Sequence, residues 1–388
     1  MRRHNVTVSS LLLQGIHQIV EKEGLSGERL AQAVGQLSRL FTKERAGLKK
    51  LYLEDDVCAA AYLHYFLPVN FSKIQVLLDE MPPVETSERI SVLDLGCGPG
   101  TGALAVLDWW QQCRPSSALS VVAMDTAPNA LRQAEQLWNV YCRESRVTRA
   151  SLQTYESDVE RNAWLEQLQK KAPFNIIILA NCLNEIHVDA QDPIAARSHL
   201  VTKLLALLAS HGTMMIIEPA LKGTSRALHQ VRDMLMQEKH CNIYSPCLHE
   251  NRCPALVNPD DWCHEERAWE APAVIQQIDE EVGFIKDALK FSYLLLRTDG
   301  RTIVARQSNV YRVVSELRIL KGDTRAWLCN ELGRSEVGRL DRAQSESNAE
   351  WDECQRGTIV KIEGMTKKEG STLERIPSGA SLEIIRSV

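Results

Sequence analysis

The chain has 388 residues, 44% hydrophobic, 24% charged and only 6% aromatic, which excludes disordered, collagenous and coiled-coil classes and allows two or three cores. Its apolar runs fall far short of the roughly 20 residues a membrane span needs, and Leu11-Leu12-Leu13 behind Met1-Arg2-Arg3 is too short for a signal-peptide core before acidic Glu21 and Glu23. A cytoplasmic protein with no membrane partner is expected. The net charge of −5 does not advertise a nucleic-acid polyanion, and no DNA partner is expected.

Residues 1–85 read as an N-terminal helical region. Val8–Glu21, Gly27–Phe41 and Val57–Leu78 repeat apolar residues at three and four positions, Pro68 is expected to break the third, and Pro82-Pro83 ends the segment. Over residues 86–300 short apolar runs alternate with helical stretches, the pattern of a parallel sheet with crossover helices. Seven strands are predicted: Ile90–Leu95, Ser120–Met124, Leu152–Glu156, Asn175–Leu179, Thr213–Ile217, Asn242–Ser245 and Leu289–Leu296.

After the first strand stands Asp94-Leu95-Gly96-Cys97-Gly98-Pro99-Gly100-Thr101-Gly102. Glycines let such a turn approach a ligand closely, and the helix that follows offers free N–H donors. The D-x-G-x-G-x-G pattern differs from the G-x-G-x-x-G of nicotinamide sites and resembles the S-adenosylmethionine (SAM) loop of class I methyltransferases. That resemblance implies that Asp94 holds the methionine ammonium through the loop and that Gly96, Gly98 and Gly100 admit the cofactor. Asp125 ends the second strand, where a carboxylate can accept both ribose hydroxyls, and Asp158 after the third could accept from the adenine amino group. Either aspartate could instead cap a helix.

The fourth strand ends Leu179-Ala180-Asn181-Cys182-Leu183-Asn184-Glu185. Asn181 is assigned to the cofactor site, and Asn184 and Glu185 line it or cap the next helix. The N/D-P-P-F/Y motif of exocyclic-amine methyltransferases is absent. Cys182 has neither the proline nor the activating partner of a cytosine-C5 nucleophile and reads as a buried cysteine. No catalytic residue is assigned.

Eleven cysteines is a large number. Cys58, Cys97, Cys113, Cys142 and Cys182 sit among apolar neighbours and read as small core residues, but Cys247, Cys253 and Cys263 cluster in the aperiodic stretch 245–269, read as a Cys-rich metal loop. Their C-x5-C-x9-C spacing is too wide for zinc-ribbon knuckles. A fourth donor is needed: Cys329 is the natural candidate, Cys354 the runner-up, and His249 or His264 in its place would favour zinc over a 4Fe-4S cluster.

Residues 301–388 alternate with period two around turns at Lys321-Gly322-Asp323, Glu331-Leu332-Gly333 and Ser378-Gly379. A small β-domain is expected, in the manner of an oligonucleotide-binding (OB) barrel, with strands at Arg356–Ile362 and Ser381–Ile385 and a mobile polar loop at Ser335–Glu353. Arg297, Arg301, Arg306, Arg312, Arg318, Lys321 and Arg325 stand against three acids in the same span, giving either an RNA contact or a solvated strand face.

The SAM loop, Ile216-Ile217-Glu218-Pro219, Pro246-Cys247-Leu248-His249 through Cys253-Pro254, Trp262-Cys263-His264, Leu289-Lys290-Phe291-Ser292-Tyr293 and Leu328-Cys329 together resemble the small-ribosomal-subunit methyltransferase-like family, over roughly residues 55–365. The resemblance implies a class I SAM-methyltransferase Rossmann-like fold, association with small-subunit rRNA during ribosome assembly, and a 4Fe-4S cluster on Cys247, Cys253, Cys263 and Cys329, with zinc as the alternative. It leaves two functions open: an rRNA methyltransferase, or a binding protein that escorts assembly and holds SAM as a structural ligand.

Overall fold

The computed structural model describes residues 7–20, 27–48, 51–85, 88–113, 116–161, 164–284 and 287–387. Met1-Arg2-Arg3, Glu21 and Glu23 lie outside them. The first sheet contains β1 (Arg89–Leu95), β2 (Ala118–Asp125), β3 (Ala150–Glu156), β4 (Phe174–Ala180), β5 (Leu208–Pro219), β6 (Asn242–Ser245), β7 (Glu265–Ala268) and β8 (Ala288–Arg297), in the order β3-β2-β1-β4-β5-β8-β6 with β7 also on β8. The first five run parallel, and β8 pairs antiparallel with β5, β6 and β7. Ile176–Leu179 of β4 and Met214–Ile217 of β5 are wholly apolar because helices cover both faces.

On one face pack α1 (Ser10–Val20), α2 (Glu28–Thr42), α3 (Asp56–Ala61), α4 (Leu67–Glu80), α5 (Thr101–Cys113), α6 (Pro128–Glu144) and α10 (Ala273–Val282). α7 (Trp164–Gln169), α8 (Pro193–Leu205) and α9 (Lys222–Glu238) cover the other. Eight strands stand where seven were predicted. The additional one is β7, inside the stretch read as a loop; its four residues Glu-Glu-Arg-Ala carry no apolar alternation, and β8 supplies the pairing edge.

Pro68 does not break its helix. A π turn at Tyr62–Phe66 leads straight into α4, and Pro68 is the second residue of α4, directly after that wider turn.

The second sheet holds β9 (Val310–Val313), β10 (Arg318–Leu320), β11 (Asp323–Asn330), β12 (Gly333–Leu340), β13 (Ile359–Glu363), β14 (Thr366–Lys367), β15 (Leu373–Arg375) and β16 (Ser381–Arg386). Its path is β14-β15-β12-β11-β9-β13-β16, with β10 on β11. Among the described residues this path is open at both ends and includes a parallel β12–β15 pair.

The expected mobile loop Ser335–Glu353 is instead ordered: β12 runs through its start and a 3-10 segment through Glu346–Glu353. Trp351 is fully buried and donates from Nε1 to the Thr324 carbonyl at 3.2 Å, and Ser345 and Asn348 form a capping box. One tryptophan and one cap outweigh the polar composition that suggested mobility.

Candidate functional site

Two cavities carry the chemistry. The larger, of about 440 Å3, opens at the carboxyl ends of β1, β2 and β4, within the ~300–1,000 Å3 usual for ligand sites. Gly96, Gly98, Asp125, Asp158 and Asn181 line it. Gly96, Gly98 and Gly100 have φ of 66°, 51° and 82°, the left-handed region that favours glycine. At Gly96 a Cβ would meet that of Cys182 at 2.6 Å, and at Gly100 it would meet Ala134 at 2.9 Å.

Asp94 and Gly100 stand apart from the cavity lining. Asp94 is 1% exposed and accepts from the Ala103 N–H at 2.7 Å, so its carboxylate ties β1 to the N-terminus of α5 and shapes the loop from behind. Burial pushes this carboxyl up to about 7. The Asp125 carboxylate accepts from Gly98 N–H at 2.8 Å and Ala127 N–H at 3.0 Å while lining the cavity; Asp158 accepts from Glu160 N–H at 3.0 Å. Asn181 holds a φ of 59°, and its Nδ2 is buried with no partner.

Sequence reasoning missed the far wall. Phe41, Arg45, Tyr52, Tyr62, Phe66, Asn70 and Lys73 close the cavity from the N-terminal helices; Arg45 bonds the Asn184 side chain across it, and Leu53 and Glu54 dock on Asn129 at the start of α6. The available signal was the crowding of Tyr52, Tyr62, Tyr65 and Phe66 in a chain otherwise poor in aromatics.

The second cavity, about 40 Å3, lies between the two sheets. Cys247, Cys253 and Cys263 line it together with Cys329 from β11, as do His249 and His264. The Cys329 sulfur lies 3.7 Å from His249 Nε2. Cys354 is buried elsewhere, in the core of the second sheet. Burial first and the neighbouring Cys247 second raise the Cys263 thiol to about 11, and Cys253 and Cys329 are raised in the same way. Arg312, Arg334 and Arg356 also line the cavity; Arg334 Nε, Arg356 Nε, His229 Nδ1 and His264 Nδ1 are buried there without partners. Among the described residues no three His, Cys, Asp or Glu side chains form a group that could hold a metal ion.

Six of the seven residues of the predicted basic patch stand in ion pairs, and Lys321 is exposed. Arg297 binds Asp299, Arg301 binds Glu85, Arg306 binds Glu250, Arg312 binds Glu265, Arg318 binds Glu336 and Arg325 binds Asp323. Arg297 and Arg312 are buried, so neither can reach a phosphate.

The sequence pattern of the family described as Mitochondrial small ribosomal subunit Rsm22 matches residues 56–340. No curated protein matches the chain. Among solved structures it is similar to the small RNA methyltransferase HEN1 (14% identity, 61% of this chain, 27% of that one, TM-score 0.36). It is similar too to the CurJ carbon methyltransferase (14%, 74% and 70%, 0.35). A class I SAM-dependent methyltransferase from Listeria monocytogenes is at a similar distance (12%, 74% and 87%, 0.37). The chain thus spans about a quarter of the length of the HEN1 protein. Among the described residues no helix is long and apolar enough to cross a membrane.

Proposed function

The chain belongs to the Mitochondrial small ribosomal subunit Rsm22 family, and from that premise we propose that it is a SAM-binding, cluster-bearing protein that acts on or escorts small-subunit rRNA. Its three parts are the N-terminal helices (1–85), a methyltransferase-like domain (86–300) and a β-rich domain (301–388). The observation that carries the reading is the convergence of three cysteines beside the first sheet with Cys329 of the second on one cavity.

Cys247, Cys253, Cys263 and Cys329 would hold a 4Fe-4S cluster. Thiolates bind such a cluster around its body, whereas zinc draws four donors to one point at about 2.3 Å from sulfur. Four cysteines lining one cavity supply the thiolates, and the unpartnered Arg334 and Arg356 Nε donors suit an anionic cluster with acceptor sulfides. Zinc is the second reading, favoured by the closeness of His249 Nε2 to Cys329. For SAM, Gly96 and Gly98 would admit the cofactor's backbone, Asp125 would take the ribose hydroxyls and Asp158 the adenine end; the bound cofactor supplies an electrophilic methyl group.

Sedimentation of the tagged full chain through a sucrose gradient tests the ribosomal part. Co-migration with small-subunit particles is expected, and sequencing the co-purified rRNA shows whether the subunit is cytoplasmic or mitochondrial. Protein found only at the top of the gradient contradicts it.

A further inference from the structure

The larger cavity continues past the cofactor loop into a lobe with an aromatic wall. Phe41 meets Tyr52, Tyr62 and Phe66 edge-on at centroid distances of 5.3, 6.5 and 5.0 Å, and Tyr62 stacks with Phe66 at 5.9 Å and 28°. All four rings line the cavity. Tyr62 and Phe66 are the two ends of the π turn; π turns interrupt α-helices at a cost in hydrogen bonding and are frequent at functional sites. Phe41, Arg45 and Tyr52 precede residue 56, where the family match begins, so much of this wall lies outside the family's shared pattern.

These rings share the lobe with polar groups: Arg45, Asn70, Lys73, Asn181, Asn184 and Glu185. Glu185 lines it, and its carboxyl is close enough to act electrostatically on Tyr52 and Tyr62; among the described residues no hydrogen bond engages that carboxyl. Asn181 presents the buried, unpartnered Nδ2 described above. The segment Asn181–Glu185 also adjoins the cofactor loop, since Cys182 packs on Gly96. Asp125 and Asp158 take the nucleoside end in the cofactor reading, which leaves the sulfonium end beside this segment. Cys182 offers no nucleophile: its thiol donates to the Leu95 carbonyl at 3.2 Å, and burial raises its pKa well above the ordinary thiol value.

We propose that this lobe seats a planar nitrogen heteroaromatic as methyl acceptor against the Tyr62–Phe66 wall, and that Glu185 is the catalytic residue that takes the proton from its N–H. The inference rests on the cofactor reading above. The acceptor nitrogen forms its bond to the methyl carbon as the carbon–sulfur bond of SAM breaks. The sulfur keeps the electron pair and leaves as S-adenosylhomocysteine, and the N–H proton passes to Glu185 and then to solvent. The stacked Tyr62–Phe66 pair beside a carboxylate and side-chain amides matches such an acceptor, whether it is a base within RNA or a free one.

The full-length protein is first titrated with S-adenosylhomocysteine by calorimetry. It is then incubated with methyl-tritiated SAM and, in separate arms, a small-subunit rRNA transcript or free adenosine and cytidine, and the products are digested and identified by mass spectrometry. An N-methylated base in one arm is expected, and the productive arm identifies the source. Glu185→Gln should lower the rate about 100-fold or more with S-adenosylhomocysteine affinity unchanged, Glu185→Asp should restore part of it, and Tyr62→Ala should raise KM.

Burial raises the Glu185 carboxyl to about 7, moderated by Arg45 and reinforced by Asp125, with Glu218, Cys182, Tyr52 and Tyr62 also facing it. The wild-type rate should therefore rise with pH through neutrality, as the carboxylate forms. Binding of S-adenosylhomocysteine without methylation in either arm, or a Glu185→Gln rate equal to wild type, overturns the acceptor proposal and leaves the cofactor reading standing. No binding of S-adenosylhomocysteine overturns both.

Discussion

Arg312 on β9 and Glu265 on β7 pair at 2.6 Å, with side chains 5% and 4% exposed, so a buried ion pair joins the two sheets in the wall of the cysteine cavity. Arg312 also donates to Tyr293 Oη at 2.9 Å, and Arg267 joins Glu265 at 3.0 Å and Glu80 at 3.1 Å. Breaking one member of such a network leaves an uncompensated buried charge, which costs about 3–5 kcal/mol.

Arg312→Met should therefore destabilise the chain by about that amount, measured by urea unfolding. Arg318 is 49% exposed in its pair with Glu336, and Arg318→Ala should change stability by less than about 1 kcal/mol. Equal losses for the two variants would show that the seam is not held by this network.

The glycine loop makes a separate prediction. Gly98 lines the larger cavity with φ of 51° and an open approach, Leu53 Cδ1 lying 3.5 Å from where its Cβ would be. Gly98→Arg should place a side chain in the cofactor's space and abolish the heat of S-adenosylhomocysteine binding, while circular dichroism shows the wild-type secondary structure. Retained affinity in a folded variant would remove the cofactor from this cavity.

Glu218 at the end of β5 is 1% exposed, and burial pushes its carboxyl up to about 8, opposed in part by the Asn184 N–H. Its ordinary value is 4.5, so between about pH 5 and pH 8 the native state holds a proton that the unfolded chain has lost, and stability falls as pH rises. Glu218→Gln should flatten that decline, whose size follows from ~1.4 kcal/mol per tenfold change in proton affinity. Urea midpoints across this range check it, and an unchanged slope in Glu218→Gln assigns the decline to other groups.

Much of this architecture was legible from residues 90–300. Runs such as Ile176–Leu179 and Met214–Ile217, bounded by turn residues, read as buried strands, and the glycines after Leu95 announce a tight turn with left-handed backbone through their spacing. β7 was hidden because Glu265 and Arg267 are buried by ion pairing with β9 and α4, which binary patterning cannot register. The loss of the basic patch has the same cause: charge counted along a chain does not show which acids from Glu80 to Glu336 will meet it. Asp94 was identified as a loop residue, but its place behind the loop depends on the Ala103 N–H turning back towards it. The aromatic wall was missed because Phe41 and Tyr62, far apart in sequence, meet only when α2 packs beside the π turn.

If the four cysteines share one cofactor, each is needed and the centre ties the sheets together, so that its binding energy is also folding energy. Cys253→Ser and Cys329→Ser should each lose the metal and expose the 310–386 sheet to limited proteolysis, whereas Cys354→Ser, buried in a different core, should keep the metal. Metal retained in Cys329→Ser would assign the fourth position to His249 or His264 and free the second sheet from the centre.

The most direct test of the central claim is the iron and acid-labile sulfide content of the full chain purified without oxygen, read together with its visible absorption. The account predicts brown protein with about four irons and four sulfides per chain. Colourless protein with one zinc per chain, or with no metal in a folded chain, would contradict it.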